Sequence, residues 1–132
     1  MVSINNLLGA NATIVLSYSH LLPFFVFMKF ELEQDNYLKD KNYGEMVSTT
    51  KKDDLNPVFG EDFHFNIPTL ENMVLTVKVM DSDYGRDGKL GKCKIKLEKL
   101  GLSTEPQEIK KKVDNNIFSA DGYVFLKLSY AN

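Results

Sequence analysis

Alternation with a period of two residues runs through most of this chain, and it restricts the fold more than any other property of the sequence. In the segment 61–67, Phe63, Phe65 and Ile67 fall on one side and Asp62, His64 and Asn66 on the other. Leu75, Val77 and Val79 oppose Thr76 and Lys78, and Cys93, Ile95 and Leu97 oppose Lys92, Lys94 and Lys96. Val124, Leu126, Leu128 and Tyr130 oppose Lys127 and Ser129. Successive side chains of a strand point to opposite faces, so these segments read as antiparallel strands with one face buried and one in water. No long stretch carries the period of an amphipathic helix. Candidate strands are 13–19, 24–32, 45–51, 61–67, 73–80, 91–97, 107–113 and 122–130. Turn-forming clusters separate them at Gln34-Asp35-Asn36, Leu55-Asn56-Pro57, Asp81 to Gly88 and Asp121-Gly122. Short strands at near-regular spacing predict an all-β, eight-stranded antiparallel sandwich.

The chain of 132 residues suits one domain, expected over 11–132 behind a loose leader at 1–10. A hydrophobic content of 43%, with 9 Phe and 6 Tyr, supplies a core. The net charge of -2 gives no general attraction to nucleic acid. The single cysteine, Cys93, excludes an internal disulfide and any zinc site built from several thiolates, in keeping with a reducing compartment. Met1 to Met28 contains no charged side chain, yet it lacks the basic start of a signal peptide. Asn11, Ser17, Ser19, His20 and Pro23 interrupt the roughly 20 apolar residues a membrane-spanning helix needs. Two short strands and a turn are expected there.

If consecutive strands are antiparallel, the connections near 20–23, 53–60, 81–90 and 114–121 share one rim of the sandwich. That rim is rich in carboxylates: Asp53, Asp54, Glu61, Asp62, Asp81, Asp83, Asp87, Asp114 and Asp121. The connections at 33–44, 68–72 and 98–106 take the other end.

The stretch from Lys51 through Asn56-Pro57-Val58-Phe59 to Phe65 resembles the C2 domain family, in which a basic strand enters an Asn-Pro-aromatic turn and leaves as a strand of alternating Phe. Leu75-Thr-Val-Lys-Val-Met-Asp81-Ser-Asp83, followed by Leu90-Gly91-Lys92, is similar to the same family's hydrophobic strand, Asp-x-Asp, loop and apolar-Gly signature. The closing segment from Gly122 to Tyr130 resembles the last strand of the permuted, phospholipase-C-like topology. The resemblance implies a sandwich whose rim loops bind calcium, phospholipid or neither. It assigns Asp81 and Asp83 as the paired calcium ligands of the third rim loop, with Asp87 as the further candidate. The first rim loop departs from the family, because Leu22 stands where a carboxylate is expected ahead of Pro23-Phe24.

Calcium takes 6–8 oxygen ligands, so three aspartates with carbonyls and waters make a weak or degenerate site. An EF-hand reading of the same loop fails, since Arg86 and Lys92 stand where Gly and Glu are required and the flanks are strands. A second candidate is apolar: Leu21, Leu22 and Phe24 either insert into the acyl boundary of a bilayer or cap the sandwich. A third is basic: Lys78, Lys92, Lys94 and Lys96 share one sheet face, which either attracts anionic lipid or is a solvated face guarded by lysines. Lys110-Lys111-Lys112 reads as a solvent-exposed charge run. His20 and His64 are remote from one another in sequence, and no nucleophile motif or phosphate-binding glycine loop is present. The sequence therefore points away from an enzyme. It points to a monomeric C2 module of signalling or membrane trafficking, cytoplasmic and peripherally membrane-bound, that docks on anionic phospholipid. The competing reading is a calcium-independent module for binding another protein.

Overall fold

A computed structural model describes residues 7–16, 25–52, 58–83, 86–114 and 122–131. Its elements in chain order are β1 (Leu7–Leu16), β2 (Phe25–Gln34), β3 (Lys41–Val47), β4 (Lys51–Lys52), β5 (Val58–Asn66), β6 (Met73–Asp83), β7 (Arg86–Lys96), β8 (Gln107–Val113) and β9 (Gly122–Ala131). A 3-10 turn, Leu97–Leu100, follows β7. One sheet runs β5-β1-β9-β8 and the second β3-β2-β6-β7, with the short β4 paired to β2. All pairings are antiparallel. The all-β sandwich predicted from the alternation is the architecture observed.

The core lies between the sheets and consists of the apolar half of each alternating segment. Met28, Phe30 and Leu32 of β2 lie beside Leu75, Val77 and Val79 of β6 in one sheet, and Phe63 and Phe65 of β5 and Val124, Leu126 and Leu128 of β9 come from the other, with β1 between those two strands. The rings of Phe30 and Phe63 meet across the layer with centroids 4.7 Å apart. Burying one such side chain contributes about 1.5–3 kcal/mol, so this stripe fixes the register of every strand that carries it.

Two boundaries differ from expectation. Leu7 to Ala10, assigned to the leader, belong to β1, which pairs with β9 from Leu7 to Leu16 and with β5 from Leu7 to Thr13. Gly9, Ala10 and Ala12 give β1 no strong hydrophobic alternation, and its place in the sheet is set by backbone pairing on both sides. The expected loop at 81–90 is mostly ladder: Asp81 pairs with Gly88, Ser82 with Asp87 and Asp83 with Arg86. Backbone pairing there prevails over the local turn preference of Asp and Gly.

The sandwich is closed differently at its two sides. At the β7–β8 side the Lys92 N–H donates to the Asp114 carbonyl at 3.1 Å, and the Asp114 N–H returns to the Lys92 carbonyl at 2.8 Å. At the β3–β5 side the Thr49 hydroxyl donates to Glu61 Oε2 at 2.7 Å and its backbone N–H reaches the same carboxylate at 3.1 Å.

Candidate functional site

Register decides which of the candidate side chains meet. Across the outer face of the second sheet, Lys29 of β2 pairs with Lys78 of β6, and Lys78 pairs with Lys92 of β7. The next row is Glu31, Thr76 and Lys94, and the one after it Glu33, Val74 and Lys96. Neighbouring strands are about 4.8 Å apart, so the first row sets three ammonium groups side by side.

Carboxylates resolve that repulsion on one half of the face. Glu31 Oε1 accepts from Lys78 Nζ at 2.9 Å and lies 3.7 Å from Lys29 Nζ, while Glu45 Oε2 of β3 lies 3.4 Å from Lys29 Nζ. These groups are partly exposed, so the pairs add only a few tenths of a kcal/mol to stability. Their larger effect is electrostatic: Lys29 and Lys78 are locally compensated. Lys92, Lys94 and Lys96 form no ion pair with a carboxylate among the described residues, and Lys94 and Lys96 are exposed. The expected basic face thus resolves into a compensated centre and an uncompensated row along β7.

The strand ends that border the acidic rim do lie together. Leu16 pairs with Gly122, Thr13 with Val58, and Val113 with Gly122 in the first sheet; Val26 pairs with both Lys51 and Asp81 in the second. Asp81 is half-buried and engaged by neighbouring groups, and no cluster of three or more His, Cys, Asp or Glu is arranged to hold a metal among the described residues. Asp87 is the register partner of Ser82, not of Asp81 or Asp83. Leu21, Leu22 and Phe24 lie outside the described residues.

Two features escaped the sequence reading. Phe27, Lys29, Val47, Ser48 and Met80 line a depression of about 360 Å³. At the opposite end, the β2–β3 hairpin carries Tyr37 and Leu38, 101% and 90% exposed. Their flanks of Asp35, Asn36 and Lys39 mark a turn, but nothing in those residue types says that an aromatic and an aliphatic side chain stand in water.

Comparison with known proteins gives this geometry a family context. The model of the family described as "C2 domain" matches residues 19–113. Synaptotagmin-7 of Mus musculus is 42% identical over 75 residues, a match that takes in 54% of this chain and only 17% of that protein's length. A C2 domain of a plant Extended Synaptotagmin 1 superposes with a TM-score of 0.75 at 21% identity, covering 98% of this chain and 96% of that one. A structure of Extended-Synaptotagmin 2 that contains its SMP domain and two C2 domains superposes with a TM-score of 0.67 at 18% identity, over 96% of this chain and 25% of that one.

Proposed function

Because the chain belongs to the C2 domain family, we propose that it is a non-catalytic module that docks peripherally on anionic phospholipid through the lysines of β7. The observation that carries this reading is the row Lys92, Lys94 and Lys96, without an ion pair among the described residues, beside a Lys29–Lys78 pair already neutralised by Glu31 and Glu45. Each lysine near an anionic surface contributes about 1 kcal/mol of attraction, which falls off over a Debye length. Lys78 supports the local potential from behind the row. Asp81 and Asp83, with Asp87 across the ladder, are the proposed weak calcium ligands, and Leu21, Leu22 and Phe24 the proposed apolar insertion. No helix among the described residues is long and apolar enough to cross a membrane. Peripheral attachment from the cytoplasmic side, as a monomer, is part of the proposal.

Co-sedimentation with phosphatidylserine vesicles, in calcium and in chelator, tests the reading. Sedimentation in both conditions is expected from the lysine row. Sedimentation in calcium alone assigns the docking to the aspartates, and Asp81→Asn with Asp83→Asn should then abolish it. Failure in both conditions rejects membrane docking. A second reading, a calcium-independent protein-binding module, is favoured by one observation: the exposed Tyr37 and Leu38 at the end of the sandwich remote from Asp81 and Asp83.

A further inference from the structure

Lysines gather in excess at one of the two lateral sides of this molecule. At the β7–β8 side, Lys92, Lys94 and Lys96 stand on the outer face of one sheet, and Lys110 and Lys112 alternate on the neighbouring edge strand of the other. Lys111 lies between the two rows: it is exposed, and it is near enough to Cys93 of β7 to act on that thiol electrostatically. The carboxylates on this side, Glu108 and Asp114, are outnumbered by lysines. On the β3–β5 side Glu45, Glu61 and Asp62 are matched in number by Lys41 of β3 and by Lys51 and Lys52 of β4, which pairs with β2 beside β3.

The two basic rows meet because Gly91 has no side chain. A Cβ at that position would stand 2.3 Å from Val113 Cγ1, so only glycine lets β8 close onto β7 and form the reciprocal Lys92–Asp114 bridge. The lysine run at 110–112, an ordinary solvated segment when read in isolation, is thereby carried to the strand that holds the other row. Lys92 to Lys96 spans roughly 14 Å along β7, and the rows diverge outward from a sandwich corner rather than lining a cleft. Such an array matches a broad sheet of negative charge better than a single acidic side chain.

We propose that the β7–β8 edge is the membrane contact: the domain docks edge-on against anionic headgroups, with Lys111 at the centre and the lysine rows of β7 and β8 on either flank. This rests on the membrane reading above and adds its orientation. The β3–β5 side, where acidic and basic residues balance, then faces away from the bilayer, and the compensated Lys29 and Lys78 stay clear of it. Lys110, whose ammonium lies 4.4 Å from the Tyr123 ring centroid and 5.7 Å from that of Phe125, holds the outer flank.

Lysine acetylation of the wild-type protein, read by mass spectrometry with and without phosphatidylserine–phosphatidylcholine vesicles, tests the orientation without any variant. Protection of Lys94, Lys96, Lys111 and Lys112, with Lys29, Lys78, Lys39 and Lys41 still reactive, is the expected result. Protection of Lys29 and Lys78 with Lys111 and Lys112 still reactive overturns it in favour of face-on docking. The variant Lys111→Gln with Lys112→Gln should bind vesicles at least tenfold more weakly than Lys39→Gln with Lys41→Gln, which removes the same charge from the hairpin tip. If Lys92→Glu with Lys94→Glu abolishes binding while Lys111→Gln with Lys112→Gln binds like wild type, the edge is overturned and the membrane reading stands. If both variants bind like wild type, the edge and docking through the lysines of β7 both fall. Capture on an acidic peptide with no vesicle binding overturns the proposal in favour of a protein partner.

Discussion

Gly91 and Val113 approach so closely that a Cβ on Gly91 would lie 2.3 Å from Val113 Cγ1 and 2.8 Å from the Asp114 carbonyl oxygen. The glycine is required here for space. Gly91→Ala should therefore cost about 1–3 kcal/mol, as overpacking of a closed contact does, and lower the melting temperature. Shortening Val113 to Ala in the same protein should recover only part of the loss, because the Asp114 carbonyl is backbone and remains. An unchanged melting temperature for Gly91→Ala would show that the two sheets are not held together at this point.

Ser48 is the buried polar side chain that closes β2 where β3 has ended. Its hydroxyl accepts from the Met28 N–H at 2.7 Å and donates to the Thr49 carbonyl at 2.9 Å, while its own N–H donates to the Met28 carbonyl at 2.9 Å. Ser48→Ala leaves the Met28 N–H without its acceptor, and the expected loss is about 1–3 kcal/mol in urea denaturation. A loss below a few tenths of a kcal/mol would mean that water replaces the hydroxyl.

Burial pushes the Cys93 thiol up to about 11; Lys111 opposes the rise and Asp114 adds to it. The thiolate is the reactive form, so Cys93 should resist iodoacetamide at pH 8 in the native protein and react readily once unfolded. The same shift sets a pH dependence. Since the folded state holds the proton more tightly, its contribution to stability is complete below pH 9, the ordinary thiol value, and is lost as pH rises from there through 11. Cys93→Ala should flatten the alkaline fall in melting temperature over that window. An identical fall in both proteins would assign it to other groups.

The strands that read clearly from the sequence are those that bury one complete face. Phe63-x-Phe65-x-Ile67 and Leu75-x-Val77-x-Val79 are buried as the alternation requires, because burial of one side and hydration of the other leave a direct imprint on residue type. The first half of β1 was not legible, since Gly9, Ala10 and Ala12 carry little of that imprint and the strand is held by its two neighbours. The lysines were legible as a set, but not their compensation. That Glu31 sits within reach of both Lys29 and Lys78 follows from cross-strand register, which no single strand encodes. Lys110 to Lys112 read as an isolated charge run for the same reason: their neighbour β7 is joined through space at Gly91 and Val113.

Vesicle affinity of the charge-reversed row is the most direct test of the functional reading. Lys92→Glu with Lys94→Glu leaves the buried face of β7 untouched, so its melting temperature should stay within a few degrees of wild type. In chelator, wild-type protein should sediment with phosphatidylserine vesicles at low salt and be released as ionic strength rises, and the variant should remain in the supernatant throughout. Sedimentation of the folded variant at the wild-type level would contradict docking through β7.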